Sequence, residues 1–377
     1  MRQTHLLVAG AGPAGAAAAL HLLRRRPGAR VLLLDKAAFP RDKVCGDAIS
    51  PDGVAELQRL GARSALEGYA PLADVRVRSA GGREVAGTAP QPGYVVPRQV
   101  FDARLVALAV AAGAELREAK VRTVERSDVG VVVNGRYGAP VLVAADGANS
   151  TVRRQLGIRP NRQRHVGIAL RGYAPMSGPP ELELRWVAAG GPAYAWSFPV
   201  DHDTRNVGFG LLASRDTSRA RLEEHLRRAL PCAKPDAATL KAHLLPMSSD
   251  RPCPYRGRVL FAGDAASLVN PLTGEGIFYA LLSGRLAAQA AIDTLIGTSG
   301  APGPRYATLL QRALGRHFRH TALLSRLAVW PGATDLLVTA ARDPAVLDTV
   351  GDLAFGKGVI TPAVIARVGA GWLRQLG

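Results

Sequence analysis

The 377-residue sequence predicts an α/β fold in which a parallel strand–helix–strand unit opens the chain, an antiparallel sheet is inserted in its middle and helices close it. Three observations predict this. The apolar run His5–Ala9 leads into a glycine loop, then a helix-forming stretch, then a second apolar run ending in an acid. From about residue 165 to 250, apolar residues alternate with period two, as strands with one buried face require. Beyond the strand-like run Val259–Ala262, long apolar stretches broken by Pro and Gly read as helices.

The elements follow in order. Ala14–Arg25 is rich in Ala and Leu and helix-forming; Pro27-Gly28 stops it, with Arg24, Arg25 and Arg26 suited to its negative end. Val31–Leu34 is a buried strand ending in Asp35, and Asp52–Leu60 a helix closed by Gly61. Val75–Val96 reads as short strands with Gly-Gly and Pro-Gly turns, and Phe101–Ala112 as a helix before Gly113. Strands are expected at Val129–Val133 and Val141–Ala145. In the inserted sheet Leu182, Leu184 and Trp186 alternate, a Gly190-Gly191-Pro192 turn follows, and Tyr194, Trp196 and Phe198 alternate again. Gly276–Thr294 is a long helix, Thr298–Pro304 a loop, and the remainder helices punctuated by Pro331-Gly332, Pro344 and Pro362. The expected domains are 1–70, 98–155 and 255–296 for nucleotide binding, 71–97 and 156–254 as a β-sheet substrate domain, and 297–377 as a C-terminal helical region.

Composition bounds the function. Hydrophobic residues at 47% and charged residues at 21% are the balance of a folded globular chain. Three cysteines argue against a disulfide scaffold and fit a reducing cytoplasm. No signal-peptide pattern is visible, and no run reaches the roughly 18–20 apolar residues of a spanning helix; Gly276–Ile292 is broken by Arg285. Forty-eight basic against 30 acidic residues give +18, but only six of the basic residues are Lys, and Arg enriched together with Ala, Gly and Pro is what GC-rich coding produces. No basic cluster with interleaved aromatics points to nucleic acid. The eight scattered His residues form no metal-ligand spacing, and there is no GxSxG hydrolase elbow.

Three motifs carry chemistry. In Gly10-Ala11-Gly12-Pro13-Ala14-Gly15 the first glycine allows a tight turn, the second lets backbone approach a pyrophosphate, and the third lets helix and strand pack closely. Free N–H groups and the positive helix end then bind phosphate, and Asp35 would accept from a ribose hydroxyl, so this is a dinucleotide-binding loop. The second motif, Asp146-Gly147-Ala148-Asn149-Ser150, follows a buried strand. The third is Gly263-Asp264-Ala265-Ala266, followed by Asn270-Pro271-Leu272-Thr273-Gly274-Glu275-Gly276.

In this order and spacing the motifs resemble those of the flavoprotein hydroxylases related to para-hydroxybenzoate hydroxylase, and more closely those of the geranylgeranyl reductase family. That branch has a PRxKxCG stretch, matched by Pro40–Gly46, and an RxxFDxxL stretch, matched by Arg98–Leu105. Its YxWxFP…GxG signature is matched by Tyr194–Pro199 and Gly208-Phe209-Gly210. The resemblance covers roughly residues 4–295. It implies a Rossmann-type FAD-binding domain with an inserted antiparallel β-sheet substrate domain and C-terminal helices.

Carried over residue by residue, the resemblance implies that Gly10, Gly12, Pro13, Ala14 and Gly15 hold the FAD pyrophosphate and Asp35 with Lys36 the adenosine ribose. Arg41, Arg98 and Asp146 would lie along the cofactor, and Gly263 with Asp264 at its ribityl or ribose region. Pro271, Gly274, Gly276 and Ile277 would lie beside the isoalloxazine, where a helix N-terminus would stabilise the anionic reduced ring. Cys45-Gly46 would lie over the flavin as the catalytic pair, with Arg41 and Lys43 close enough in sequence to lower the thiol pKa. The plainer alternative is a small packed thiol; Cys232 and Cys253 lack such context and read as structural. Tyr194, Trp196, Phe198 and Pro199 form either sheet core or an aromatic substrate wall, with Gly208 and Gly210 leaving room for an elongated apolar chain.

The expected reaction is reduction of C=C bonds in a prenyl or polyene substrate by hydride from reduced flavin N5. The alternative is a monooxygenase acting through a C4a-hydroperoxide; a non-catalytic lipid-binding flavoprotein is less favoured. So is a halogenase, because residues 44–119 contain no Lys and the WxWxIP segment reads YxWxFP. With no second GxGxxG, electrons would come from a transient donor such as NAD(P)H, ferredoxin or deazaflavin. A cytoplasmic enzyme is expected, with the surplus positive charge open to a solvated surface, to peripheral contact with an anionic membrane, or to an acyl carrier protein. Arg312, Arg316, Arg319 and Arg326 recur at helical spacing and are the first residues to test for such contact.

Overall fold

The computed structural model describes residues 2–187, 193–214, 217–298, 300–330 and 332–373. Its organising element is a six-stranded sheet in the order Tyr255–Arg256, Val259–Phe261, Leu142–Ala144, Leu6–Ala9, Val31–Asp35 and Ala114–Glu118. All neighbours are parallel except the outermost pair, Tyr255–Arg256 on Val259–Phe261. Parallel strands are covered on both faces, which is why Leu6–Ala9 and Val31–Asp35 are buried throughout. The opening helix, Pro13–Arg25, owes its form to Ala and Leu and packs on the long helix Ile277–Leu295. A Cβ on Gly284 would fall 2.0 Å from the Ala14 carbonyl oxygen, so glycine sets that close approach.

The second body is an eight-stranded sheet: Lys241–Pro246, Val166–Pro175, Thr204–Leu212, Ala193–Pro199, Leu182–Trp186, Leu72–Arg78, Glu84–Val95 and Ala48–Ile49. Its outer face packs Leu170, Val207 and Phe209 against Leu222 and Leu226 of the helix Arg219–Ala229. Its inner face gathers Leu184, Trp196 and Phe198 toward the first sheet. Helices Pro302–Leu327, Ala333–Ala340, Pro344–Phe355 and Pro362–Leu373 complete the described chain. Among the described residues no helix is long and apolar enough to cross a membrane.

Three local expectations are corrected. Pro92-Gly93 makes no turn: it lies inside the twelve-residue strand Glu84–Val95, where prolines without N–H coincide with a register shift against Leu72 and Asp74. The Thr298–Pro304 loop is shorter than expected, because Pro302 starts the next helix at a position that needs no N–H. Val129 is exposed and its strand begins at Val131, after a turn closed by the Ser127 N–H on the Gly130 carbonyl. That strand belongs to a small four-stranded sheet with Arg2–Gln3, Val124–Arg126 and Tyr137–Ala139, which the sequence did not signal. The expected Gly190-Gly191-Pro192 turn lies outside the described residues, but the strands flanking it pair antiparallel, Trp186 opposite Tyr194.

Candidate active site

A cavity of about 610 Å³ opens at the carboxyl ends of the parallel strands, between the two sheets. That is where an open α/β sheet binds ligands, and the size is that of a cofactor or small-molecule site. Gly10 turns the chain at φ 96°, and a Cβ there would strike the Ala145 carbonyl oxygen at 2.2 Å. Gly15 is equally constrained, its added Cβ falling 1.9 Å from the Gly10 carbonyl oxygen. Gly12 instead faces the cavity, its nearest neighbour being the Arg41 guanidinium at 3.5 Å from such a Cβ. Gly12 begins the first helix, which has no side-chain cap and no acid in its first turn; Gly276 begins the long helix, where Glu275 Oε1 accepts from the Phe278 N–H at 2.8 Å. The first helix therefore presents free N–H groups and a positive dipole end at the cavity, while at the second the Glu275 carboxyl, pushed up to about 7 by burial, occupies a first-turn N–H.

The charged groups around it are cross-linked. Asp35 accepts from Ala11 N–H at 2.8 Å and Ala37 N–H at 3.1 Å, pinning the glycine loop to the second strand. Arg41 reaches Asp102 at 3.2 Å and Asp35 at 3.5 Å. Arg98, itself buried, makes a two-point contact with Asp102 at 2.6 and 2.8 Å. Lys43 pairs with Asp264 at 2.8 Å; burial, the largest influence, pushes that carboxyl up, but Lys43 together with His243 and Arg98 holds it below its usual range. Asp146 is tied locally, accepting from Ser150 at 2.6 Å and from Val152 N–H at 3.1 Å.

Of the residues singled out in the sequence, Gly10, Gly12, Pro13, Ala14, Asp35, Lys36, Arg41, Cys45, Gly46, Arg98 and Asp146 line this cavity, as do Gly263, Asp264, Gly274, Gly276 and Ile277. Tyr194, Trp196 and Phe198 join them from the second sheet. Five do not. Gly15 is buried beneath the loop, Pro199 ends its strand in the interior, and Gly208 lies under Trp196. Pro271 and Gly210 line a smaller neighbouring cleft. Cys232 and Cys253 are exposed, which removes the structural role expected for them.

Cys45 corrects a second expectation. Half-buried, it lines the cavity, and burial pushes its pKa up although the Arg98 guanidinium pulls the other way. Arg41 and Lys43, adjacent in sequence, are committed to Asp102 and Asp264. Cys45 is therefore a neutral thiol at neutral pH, not a thiolate. Its loop is held by Asn206, fully buried, whose Nδ2 donates to the Cys45 carbonyl at 2.9 Å and to Asp47 at 2.7 Å. Trp196 Nε1 donates to Asn206 Oδ1 at 2.8 Å, so the aromatic wall and the Cys45 loop share one network. Gly46 lies against Trp196 and Phe198, 3.4 Å from each with an added Cβ.

The register explains the wall. Tyr194 sits opposite Gly210, and Trp196 opposite Gly208 and Leu184, so these side chains share the inner face. Gly208 leaves no lane for substrate: a Cβ there would lie 2.0 Å from Trp196 Cζ2, so the indole fills that space. Gly210 meets nothing closer than 3.7 Å, and it alone of the two leaves room. Gly208→Val is expected to displace Trp196 and destabilise the fold by about 1–3 kcal/mol, read by urea denaturation, whereas Gly210→Ala should be near neutral.

Sequence reasoning missed Asp47, Asn206, Tyr173 and His243. His243, on the edge strand, lines the cavity with its Nε2 buried and unpartnered, and burial pushes its pKa down to about 4. Asp47 is fully buried at φ 61° and accepts from Tyr173 Oη at 2.6 Å; burial pushes its carboxyl up to about 6. Because the folded chain holds this proton more tightly than the unfolded chain, Asp47 subtracts stability as pH rises from about 4 to about 6, by up to about 3 kcal/mol, and nothing further above that. Urea denaturation across that range should show wild type losing stability relative to Asp47→Asn as pH rises; a difference independent of pH would contradict this.

The FAD binding domain family matches residues 3–289. The menaquinone reductase of Mycolicibacterium smegmatis is 35% identical, over 93% of this chain and 91% of its own. Digeranylgeranylglycerophospholipid reductase 2 of Methanopyrus kandleri is 31% identical, over 85% of this chain and 86% of its own. The chain is a flavoprotein of the geranylgeranyl reductase family. Among solved structures, a geranylgeranyl bacteriochlorophyll reductase-like protein of Thermoplasma acidophilum aligns over 100% of this chain and 99% of its own with TM-score 0.80. At 20% identity it shows the shared fold alone. This flavoprotein is an FAD-dependent oxidoreductase, and the cavity's uncapped first helix end, its glycine cradle and its basic side chains fit an anionic dinucleotide.

Proposed function

We propose that this flavoprotein reduces C=C bonds in the prenyl chain of an elongated apolar substrate. The observation that carries the reading is a neutral thiol, Cys45, set in a cavity wall beside Tyr194, Trp196 and Phe198. Saturating an isolated double bond requires a hydride equivalent at one carbon and a proton at the other. FAD, bound and reduced by a separate carrier such as NAD(P)H, ferredoxin or a deazaflavin, supplies the hydride equivalent. Cys45 Sγ–H supplies the proton, and solvent reprotonates it between turnovers. Burial keeps that proton in place at rest, and the positive charge of the Arg98 guanidinium stabilises the thiolate left behind.

Gly10, Gly12, Pro13 and Ala14 would hold the pyrophosphate with Arg41, while Asp35 and Lys36 bound the adenosine end. Arg98, Asp146, Gly263 and Asp264 would follow the cofactor, and Gly274, Gly276 and Ile277 would border its ring. Tyr194 donates to the Thr273 carbonyl, bracing the inserted sheet against that last loop. The aromatic trio excludes water and orients the chain. The relatives are named for menaquinone and for digeranylgeranylglycerophospholipid, which share prenyl chains and differ in their polar ends. In the test, anaerobically reduced holoenzyme is mixed with each lipid while the flavin's visible absorption is followed. Reoxidation by a prenyl lipid, and not by its saturated counterpart, is expected; no reoxidation by any prenyl lipid would contradict the proposal.

A further inference from the structure

The helix Pro302–Leu327 carries five arginines and no acidic residue. Arg305 is neutralised by Asp293 at 2.7 Å. Arg312, Arg316, Arg319 and Arg326 are all exposed, and among the described residues none of them meets a carboxylate. At about 100° per residue the four fall on one stripe, opposite the buried Tyr306, Leu310, Leu314 and Phe318. Leu323 and Leu327 lie on the same stripe at 50% and 39% exposure, and Val329 and Trp330, just past the helix, are 50% and 66% exposed. An arginine-rich face thus runs into four uncovered apolar side chains, one of them Trp.

The helix that carries the stripe packs against the turn Ser248–Asp250, which directly follows Met247. Arg326 bears electrostatically on His165, together with Arg162 and Arg164 of the same turn. The His165 carbonyl accepts from Met247 N–H at 3.0 Å. Met247 lines the small cleft, which shares Tyr194, Leu245 and Gly274 with the main cavity.

We propose that the stripe Arg312–Trp330 docks the enzyme on an anionic lipid surface, with Leu327 and Trp330 entering the interface and the arginines pairing with lipid phosphates. Charge complementarity selects an anionic partner. The apolar end selects a bilayer over an acidic protein, because Trp and Leu beside basic residues are what interfacial insertion uses. The cleft would then face the surface that holds a prenyl lipid. The docking stands apart from the reaction assigned above, since it is measured with no substrate and no turnover.

The test is flotation of the FAD-loaded enzyme with vesicles of phosphatidylglycerol and phosphatidylcholine, or of phosphatidylcholine alone. Wild type is expected to float with the anionic vesicles and to be released by high salt. Arg312→Glu/Arg316→Glu/Arg319→Glu should lower its partition coefficient by about a hundredfold. Leu327→Ser/Trp330→Ser should weaken binding at every salt concentration, and both variants should keep their FAD. Should the triple variant lose FAD, the Leu327→Ser/Trp330→Ser result alone decides. Equal binding to neutral vesicles, binding unchanged in the variants, or no flotation with retention on an immobilised acidic acyl carrier protein would each overturn the proposal.

Discussion

Cys45→Ala is expected to lower the rate of substrate reduction by about 10²–10⁴-fold while the protein purifies yellow and FAD-loaded. The separation follows from where the thiol lies. FAD would be held by the glycine loop, the first helix end and a set of paired charges, none of which Cys45 supplies, whereas Cys45 is the group assigned to protonate the second carbon. Cys45→Ser, a weaker acid in the same space, should recover little. A single-turnover measurement separates the steps: flavin reduction by the donor unchanged, reoxidation by lipid slowed. Colourless Cys45→Ala protein would instead make the residue part of the cofactor cradle.

Gly10→Val is expected to abolish FAD retention altogether. Its Cβ would fall 2.2 Å from the Ala145 carbonyl oxygen, at φ 96°, where L side chains are strained. Neither group can retreat, because Ala145 N–H is bound to the Ala9 carbonyl and Gly10 N–H to the Leu34 carbonyl, both at 2.7 Å. The loop must leave the sheet, and the helix end that lines the cavity leaves with it. Gly28→Ala is the matched control: φ is 84° there, but nothing lies within 4 Å of the added Cβ. It should cost about 1 kcal/mol and keep its FAD. Flavin content per mole of purified protein reads both outcomes.

What was legible in the sequence is what has a local signature. The strand, glycine loop, helix, strand and Asp35 are contiguous, and each obeys its own propensity, so the cradle could be read before the structure. The period-two aromatics put Tyr194, Trp196 and Phe198 on one face, and they do line the cavity together. What could not be read depends on partners distant along the chain. Arg41 and Lys43 come just before Cys45 in sequence, yet turn to carboxylates 61 and 221 residues away. The Asp47–Tyr173–Asn206 network joins three segments without periodicity or motif. Gly208 looked like free space because no sequence pattern says that the indole across the ladder already occupies it. The +18 divides in the same way: some arginines are consumed in pairs, and four on one helix face are not.

The most direct measurement is the mass of the product formed by reduced holoenzyme from a prenyl lipid, once under strict anaerobiosis and once under isotopically heavy dioxygen. A gain of two hydrogen atoms per bond without oxygen, and no heavy oxygen in the product, is predicted. A product that forms only with dioxygen and carries one heavy oxygen atom would contradict the account.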